Sequence, residues 1–266
     1  MKTNKISLSP NGYKAKCSVI ILVSAFAFII SVLVLDLDLI KFITRLKNAP
    51  EVIRRMLILD FNNIGEITAS MGISFALAVT ALMAGVIISV PLSFLAAENI
   101  TPSRYPAKII KAVIAVIRAV PSLVWVLMVV ASIGFGNTGG MIGLMFPVTG
   151  YLTKSFTASI EEQGIDLIEA LQATGASWIN IVMNGLFPSV FPAFITWISI
   201  RLEANLAESI SLGMVGVAGI GMLLSKAAKQ YNYGQISTII LVIFISMFLL
   251  EVFMTLIRSR IDRFNA

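Results

Sequence analysis

Few side chains in this chain could do chemistry, and several of those lie inside apolar runs. Arg201, Asn205 and Glu208 are spaced i, i+4, i+7. That spacing puts them on one face of a helix, with Glu203 off that face. A charge at the centre of a bilayer costs roughly 3 kcal/mol on insertion scales, so such groups face protein or water. Two readings fit: a polar lining that senses or passes an anion, or an ion-pair network that holds helices together. Arg118 stands three residues before Pro121 in another apolar run. It either contributes to such a lining or snorkels to the surface, while Pro121 kinks the helix. Glu251, in the last apolar run, calls for a basic partner on a neighbouring helix.

Other chemistry is poorly supplied. There is no histidine and one cysteine, Cys17, so a Cys/His metal site and an internal disulfide are not expected. No nucleophile–base pair stands out. Thr153-Lys154-Ser155 has the tail of a phosphate loop, but Thr153 occupies the position that must be glycine. Gly213, Gly216, Gly219 and Gly221 have the wrong spacing for a dinucleotide loop, and they follow an apolar run instead of a strand. They read as a flexible or re-entrant turn. The chain is expected to be no enzyme, with no cofactor or metal of its own.

The elements that must hold these groups are set by composition. Of 266 residues, 58% are hydrophobic and only 13% charged, with a mean hydropathy of +0.92. A soluble domain carries about 25% charged residues, so this is a polytopic membrane protein. Net charge is +6. Basic residues are not clustered with aromatics on one soluble face, which argues against nucleic acid as a partner.

Hydropathy predicts an all-α bundle of six transmembrane helices: Ser18 to Leu35, Ala69 to Ala97, Ala112 to Gly134, Met141 to about Phe156, Ser189 to Leu212 and Ile236 to Ile257. The first run is too long for a cleaved signal and lacks a small-residue cleavage site. Residues 36–68 alternate apolar and basic positions at helical spacing, broken at Pro50, and read as short amphipathic helices at a membrane surface. Glu98 to Lys111 reads as a polar loop. Six spans put both termini on one side. That side collects eleven Lys and Arg against seven on the other, which favours a cytoplasmic N- and C-terminus. The expected organisation is residues 1–68 as tail, first span and amphipathic segment, 69–258 as the core, and 259–266 as a cytoplasmic tail.

Between the fourth and fifth spans, about residues 157–188, lies a polar stretch too long for a plain connector. Glu169 to Thr174 favours helix, Gly175 can supply a φ > 0 that ends it, and Ser177 can cap a second helix. Pro188 sits where the fifth span begins. Glu161, Glu162, Asp166 and Glu169 give an acidic face, on which a partner could dock. A surface helix that merely connects two spans is the plainer reading.

The spacing Glu169-Ala170-Leu171, three residues, Gly175-Ala176, nine residues after Gly175, then Gly185-Leu186-Phe187-Pro188 resembles the coupling-loop signature of bacterial ABC importer permeases. Its general form is Glu-Ala-Ala, three residues, Gly, nine residues, Ile-x-Leu-Pro. Leu171, Gly185 and Phe187 depart from it. Phe94 to Pro102, Arg118 to Trp125, Glu169 to Ser177, Arg201-x-Glu203-x-Asn205, Leu212 to Gly221 and Tyr233-Gly-Gln235 resemble the phosphonate-type importer permeases in particular, where Leu171 and Gly185 are the expected residues. Phe187, Glu208 and the stretch Gly143 to Gly150 depart from that pattern and put the substrate in doubt. The similarity covers roughly residues 30–260.

The resemblance implies a type I ABC importer permease fold and an ATP-driven import path for phosphonate or a related small oxyanion. It implies a second copy of this chain, two ABC ATPase subunits that hold ATP and Mg, and an extracytoplasmic binding protein that delivers ligand. On it, Glu169, Ala170, Leu171, Gly175, Ala176, Gly185 and Pro188 form the ATPase-coupling loop, and Arg118, Arg201, Glu203, Asn205 and Glu208 are candidates for the path. A permease for another small solute is an alternative. A secondary carrier without an ATPase is another, and would show inverted repeats around a central ion site.

Overall fold

A computed structural model of the protein describes residues 13–36 and 38–265. Lys2 and Lys5 lie outside the described residues, as do the side chains of Lys14, Asp166 and Arg263. All regular structure among the described residues is helical. In lipid every backbone polar group must be satisfied within its own segment, and helices do this. The chain divides into two compact units, Met1–Arg54 and Arg55–Ala266.

The first unit holds the predicted first span, α1 (Tyr13–Val34). Its sides from Val19 to Val34 are apolar and exposed, as suits a helix that meets acyl chains. The predicted amphipathic segment begins with α2 (Leu39–Leu46), whose N-terminus is capped by the Asp38 carboxylate accepting from the Lys41 N–H. It continues with α3 (Ala49–Met56), where Pro50 sits harmlessly in the first turn.

In the second unit α4 (Ile64–Ala96) is 33 residues long, about 50 Å at 1.5 Å per residue, more than a bilayer core needs. It pairs most extensively with α7 (Asn137–Glu161), the predicted fourth span. About half of the 25 residues of α7 are buried, so protein, not lipid, forms much of its surroundings. The predicted fifth span extends further back than expected. A single turn, α9 (Trp178–Asn180), runs through a π-helical turn (Ile181–Leu186) into α10 (Phe187–Gly213), with Pro188 in the first turn of α10. The predicted last span is α12 (Tyr233–Asn265).

Two expectations change. Glu98 to Lys111 is not all loop, and Ala112 to Gly134 is not one helix. Two helices, α5 (Arg104–Ala119) and α6 (Ser122–Ile133), meet at 89°. The cause is Pro121, which lacks an N–H and forces Val120 into extended backbone at φ −87°, ψ 126°. Trp125 holds the corner. Its indole N–H donates to the Ile117 carbonyl at 3.0 Å, and its ring stacks on Phe146. Four stretches among the described residues are individually long and apolar enough to cross a membrane: Lys16–Val34, Ile64–Ala96, Trp178–Gly213 and Tyr233–Ile261. The bent α5–α6 pair makes a fifth.

The glycine run after α10 is a tight reversal into α11 (Ile220–Lys229). A Cβ on Gly221 would stand 1.8 Å from the Ile210 carbonyl oxygen, so only glycine lets α11 fold back this closely. The core joins α4, α7, α10, α11 and α12. At its centre Phe156 stacks on Phe194, centroids 3.9 Å apart, with Phe94 and Phe187 packed around them.

Candidate functional site: the loop between α7 and α10

α7 ends at Glu161, and the chain enters α8 (Ile165–Ala173). Ile168 of α8 is buried and Leu171 half-buried. Glu169, Ala170, Gln172 and Ala173 are exposed. So α8 rests one side on the bundle and presents the other. Gly175 then takes φ +76°, a conformation open to glycine and strained for other residues. Its N–H donates to the Gln172 carbonyl, and Ala176 packs against the core. The Ser177 hydroxyl accepts from the Asn180 N–H, as its cap role predicts.

Leu171 and Gly185 belong together. A Cβ on Gly185 would fall 2.3 Å from Leu171 Cδ1. The general signature has alanine and isoleucine at these two positions, so leucine and glycine exchange a small and a large side chain across one contact. Phe187 also finds a reason, since it joins the aromatic cluster of Phe94, Phe156 and Phe194 beneath the loop.

Sequence reasoning missed what anchors this loop. The four residues after α4 bind both of its ends. Glu161 accepts from the Glu98 N–H at 2.9 Å and from Lys111 Nζ at 2.8 Å. Lys111 also donates to the Glu98 carboxylate at 2.8 Å. Asn99 Nδ2 donates to the Ile160 carbonyl, and the Trp178 indole N–H donates to the Ile100 carbonyl, each at 2.8 Å. The hydrogen bond from Lys111, reinforced by its charge, holds the Glu98 carboxyl below its ordinary range. Glu161 is therefore tied into this corner and does not share an outward acidic face with Glu169. Glu162 and Glu169 are exposed, and the side chain of Asp166 lies outside the described residues. The Trp178 and Asn99 side chains were the available signals, each a hydrogen-bonding group followed by an isoleucine, Ile179 or Ile100.

The intramembrane charges divide into pairs. Arg201 is buried, donates to Glu208 at 2.9 Å and lies over the Tyr151 ring. Glu208 also lines a cavity of about 310 Å³ with Ser122 and Leu123 of α6 and Ser211 of α10. Glu203, off that face as predicted, pairs with Arg258 of α12. Asn205 is fully buried, its amide donating to the Ala78 carbonyl of α4, and Ser209 bonds the Ser74 carbonyl one turn on. No basic partner for Glu251 is found among the described residues. Arg258 is held by Glu203, and Glu251 is exposed in a small groove that Glu203 of α10 also lines. Arg118 stands apart from all of these, at the end of α5.

This architecture is a bundle whose α4, α7 and α10 are tied to one presented loop. The family described as "Binding-protein-dependent transport system inner membrane component" matches residues 89–264. The chain belongs to that family and is a multi-pass membrane component. It is 36% identical over 169 residues to the "Phosphate-import permease protein PhnE" of Mycolicibacterium smegmatis, covering 62% of this chain and 32% of that protein. The match thus spans about a third of the mycobacterial relative. It is 29% identical to the "Phosphite transport system permease protein PtxC" of Stutzerimonas stutzeri, covering 70% of this chain and 68% of that one. Among solved structures, the inward-facing MetNI methionine ABC transporter shares the fold, with a TM-score of 0.68 at 20% identity over 76% of this chain and 99% of that one. The type I importer permease fold expected from the sequence is therefore present.

Proposed function

We propose that the chain forms the translocation path of an ATP-driven importer for phosphonate or a related small oxyanion of phosphorus. Two copies work with two ATPase subunits on the cytoplasmic side and a binding protein outside, and both termini are cytoplasmic. The observation that carries this reading is the outward side of α8 with the Gly175 turn, backed by hydrogen bonds to the end of α4 and by continuity into α10. Such an element can pass a push from a docked ATPase into three helices at once. The names of the mycobacterial and Stutzerimonas relatives support a phosphorus oxyanion as cargo. Arg201 and Glu203 already have opposite charges beside them. They offer an oxyanion a neutralised wall instead of a tight site, so selection falls to the binding protein.

The test is the ATPase activity of the assembled complex in lipid with its binding protein, challenged with phosphonate, phosphite, phosphate and methionine. Stimulation by one of the first three, with none by methionine, is expected. Stimulation by methionine alone would overturn the cargo class.

A further inference from the structure

A cavity of about 330 Å³ opens between α4, α5 and α7, near the loop end of the bundle and apart from the path candidates on α10. Lys111 and Arg118 of α5 line it, seven residues apart and so on one helix face. Thr153 and Lys154 of α7 line the opposite side. Gly150 lets the two sides meet. A Cβ there would stand 3.0 Å from Arg118 Cγ, so the arginine stem lies across α7 one turn from Lys154.

The charges in the cavity are unequally matched. Glu161 is the only carboxylate of its lining, and Lys111 takes it. Arg118 and Lys154 have no ion pair or hydrogen bond among the described residues. Thr153 is 1% exposed, and its hydroxyl has no hydrogen-bond partner among the described residues. A buried hydroxyl left unpaired carries a desolvation cost, which turning its oxygen toward a ligand in the cavity would relieve. The rest of the wall is apolar, from Ala96, Ile114 and Ala158 among others.

We propose that this cavity binds a tetrahedral phosphate-class oxyanion, with Arg118 and Lys154 neutralising it and the Thr153 hydroxyl donating to it. Arginine and lysine are suited to such a group, arginine through its planar fork. The group has two possible sources, the headgroup phosphate of an anionic phospholipid or a free phosphorus oxyanion. Basic pockets between helices at a membrane face take lipid headgroups, and the apolar wall suits the glycerol and acyl carbons behind one. The proposal goes beyond the transport reading, because it requires only that the chain lies in a bilayer.

The experiment uses the full chain, purified and reconstituted in phosphatidylcholine alone or mixed with phosphatidylglycerol. Bound phosphatidylglycerol is counted by native mass spectrometry, and inorganic phosphate is titrated in phosphatidylcholine alone with unfolding temperature as the readout. Arg118→Gln, Lys154→Gln and Thr153→Val are compared with Lys229→Gln, a basic residue remote from the cavity in the fold. Phosphatidylglycerol retained by the wild type and held about tenfold more weakly by the cavity variants, but not by Lys229→Gln, supports the site with lipid as its source. A phosphate-dependent rise in unfolding temperature that the same variants lose supports it with the free oxyanion as source. Thr153→Val is isosteric and keeps the test readable where removing Arg118 prevents folding. Equal binding of both ligands by the wild type and all variants, or none by the wild type, overturns the proposal.

Discussion

At Gly185 the missing side chain makes room for Leu171, and this contact, with buried Ile168, seats α8 on the bundle. Gly185→Ile alone forces a branched side chain into space that Leu171 fills, and is expected to cost about 1–3 kcal/mol of stability. Leu171→Ala alone leaves a gap. The double substitution restores the general signature and is expected to recover most of the loss, being one methyl group larger in total than the native pair. Thermal unfolding of the four proteins reads this as a coupling energy, and additive losses would show that the two residues do not share the contact. The sequence made the signature legible but not this pairing, because thirteen residues of chain lie between the partners and their closeness comes from the turn at Gly175. The roles of Arg201 and Glu203 were left open for a similar reason. Their spacing assigned a helix face, while the partners sit seven residues along α10 and on α12.

At the scale of elements, the apolar runs were legible because a bilayer demands about 20 consecutive apolar residues and leaves few alternatives. The corner between α5 and α6 was legible only in kind. Pro121 announced a break, but the angle of 89° depends on Trp125 reaching back to Ile117, which hydropathy does not register. The first half of α5 read as loop because Arg104, Lys108 and Lys111 interrupt its apolar pattern. Lys111 turns out to be the clasp between α4, α5 and α7. This clasp makes a pH prediction. Glu98 has a folded pKa below its ordinary 4.5. Its contribution is therefore complete above that ordinary value and is lost as pH falls through the lowered one. Amide exchange of residues 98–101 is expected to hold steady, after correction for intrinsic rate, from neutral pH to about pH 5, and to rise on further acidification. In Lys111→Met that acid-induced rise should shrink, with faster exchange already at neutral pH. An unchanged profile in the variant would show that Lys111 does not hold the corner.

At the scale of the whole molecule, the loop between α7 and α10 is where the ends of α4, α7 and α10 are joined by specific hydrogen bonds and direct chain continuity. On the proposed function the chemistry of ATP belongs to a partner and the chain's own task is mechanical. A displacement received at Glu169 and Gly175 would pass to helices that carry the paired charges Arg201–Glu208 and Glu203–Arg258. The most direct test is ligand-stimulated ATPase activity and uptake in proteoliposomes of the assembled complex, comparing the wild type with Glu169→Arg and Gly175→Pro. Gly175 has φ +76°, which proline cannot adopt, so the second variant breaks the turn while leaving the bundle's buried core untouched. The expected result is loss of both stimulation and uptake, with an unfolding temperature close to the wild type's. Stimulation and uptake at wild-type levels in both variants would contradict coupling through this loop.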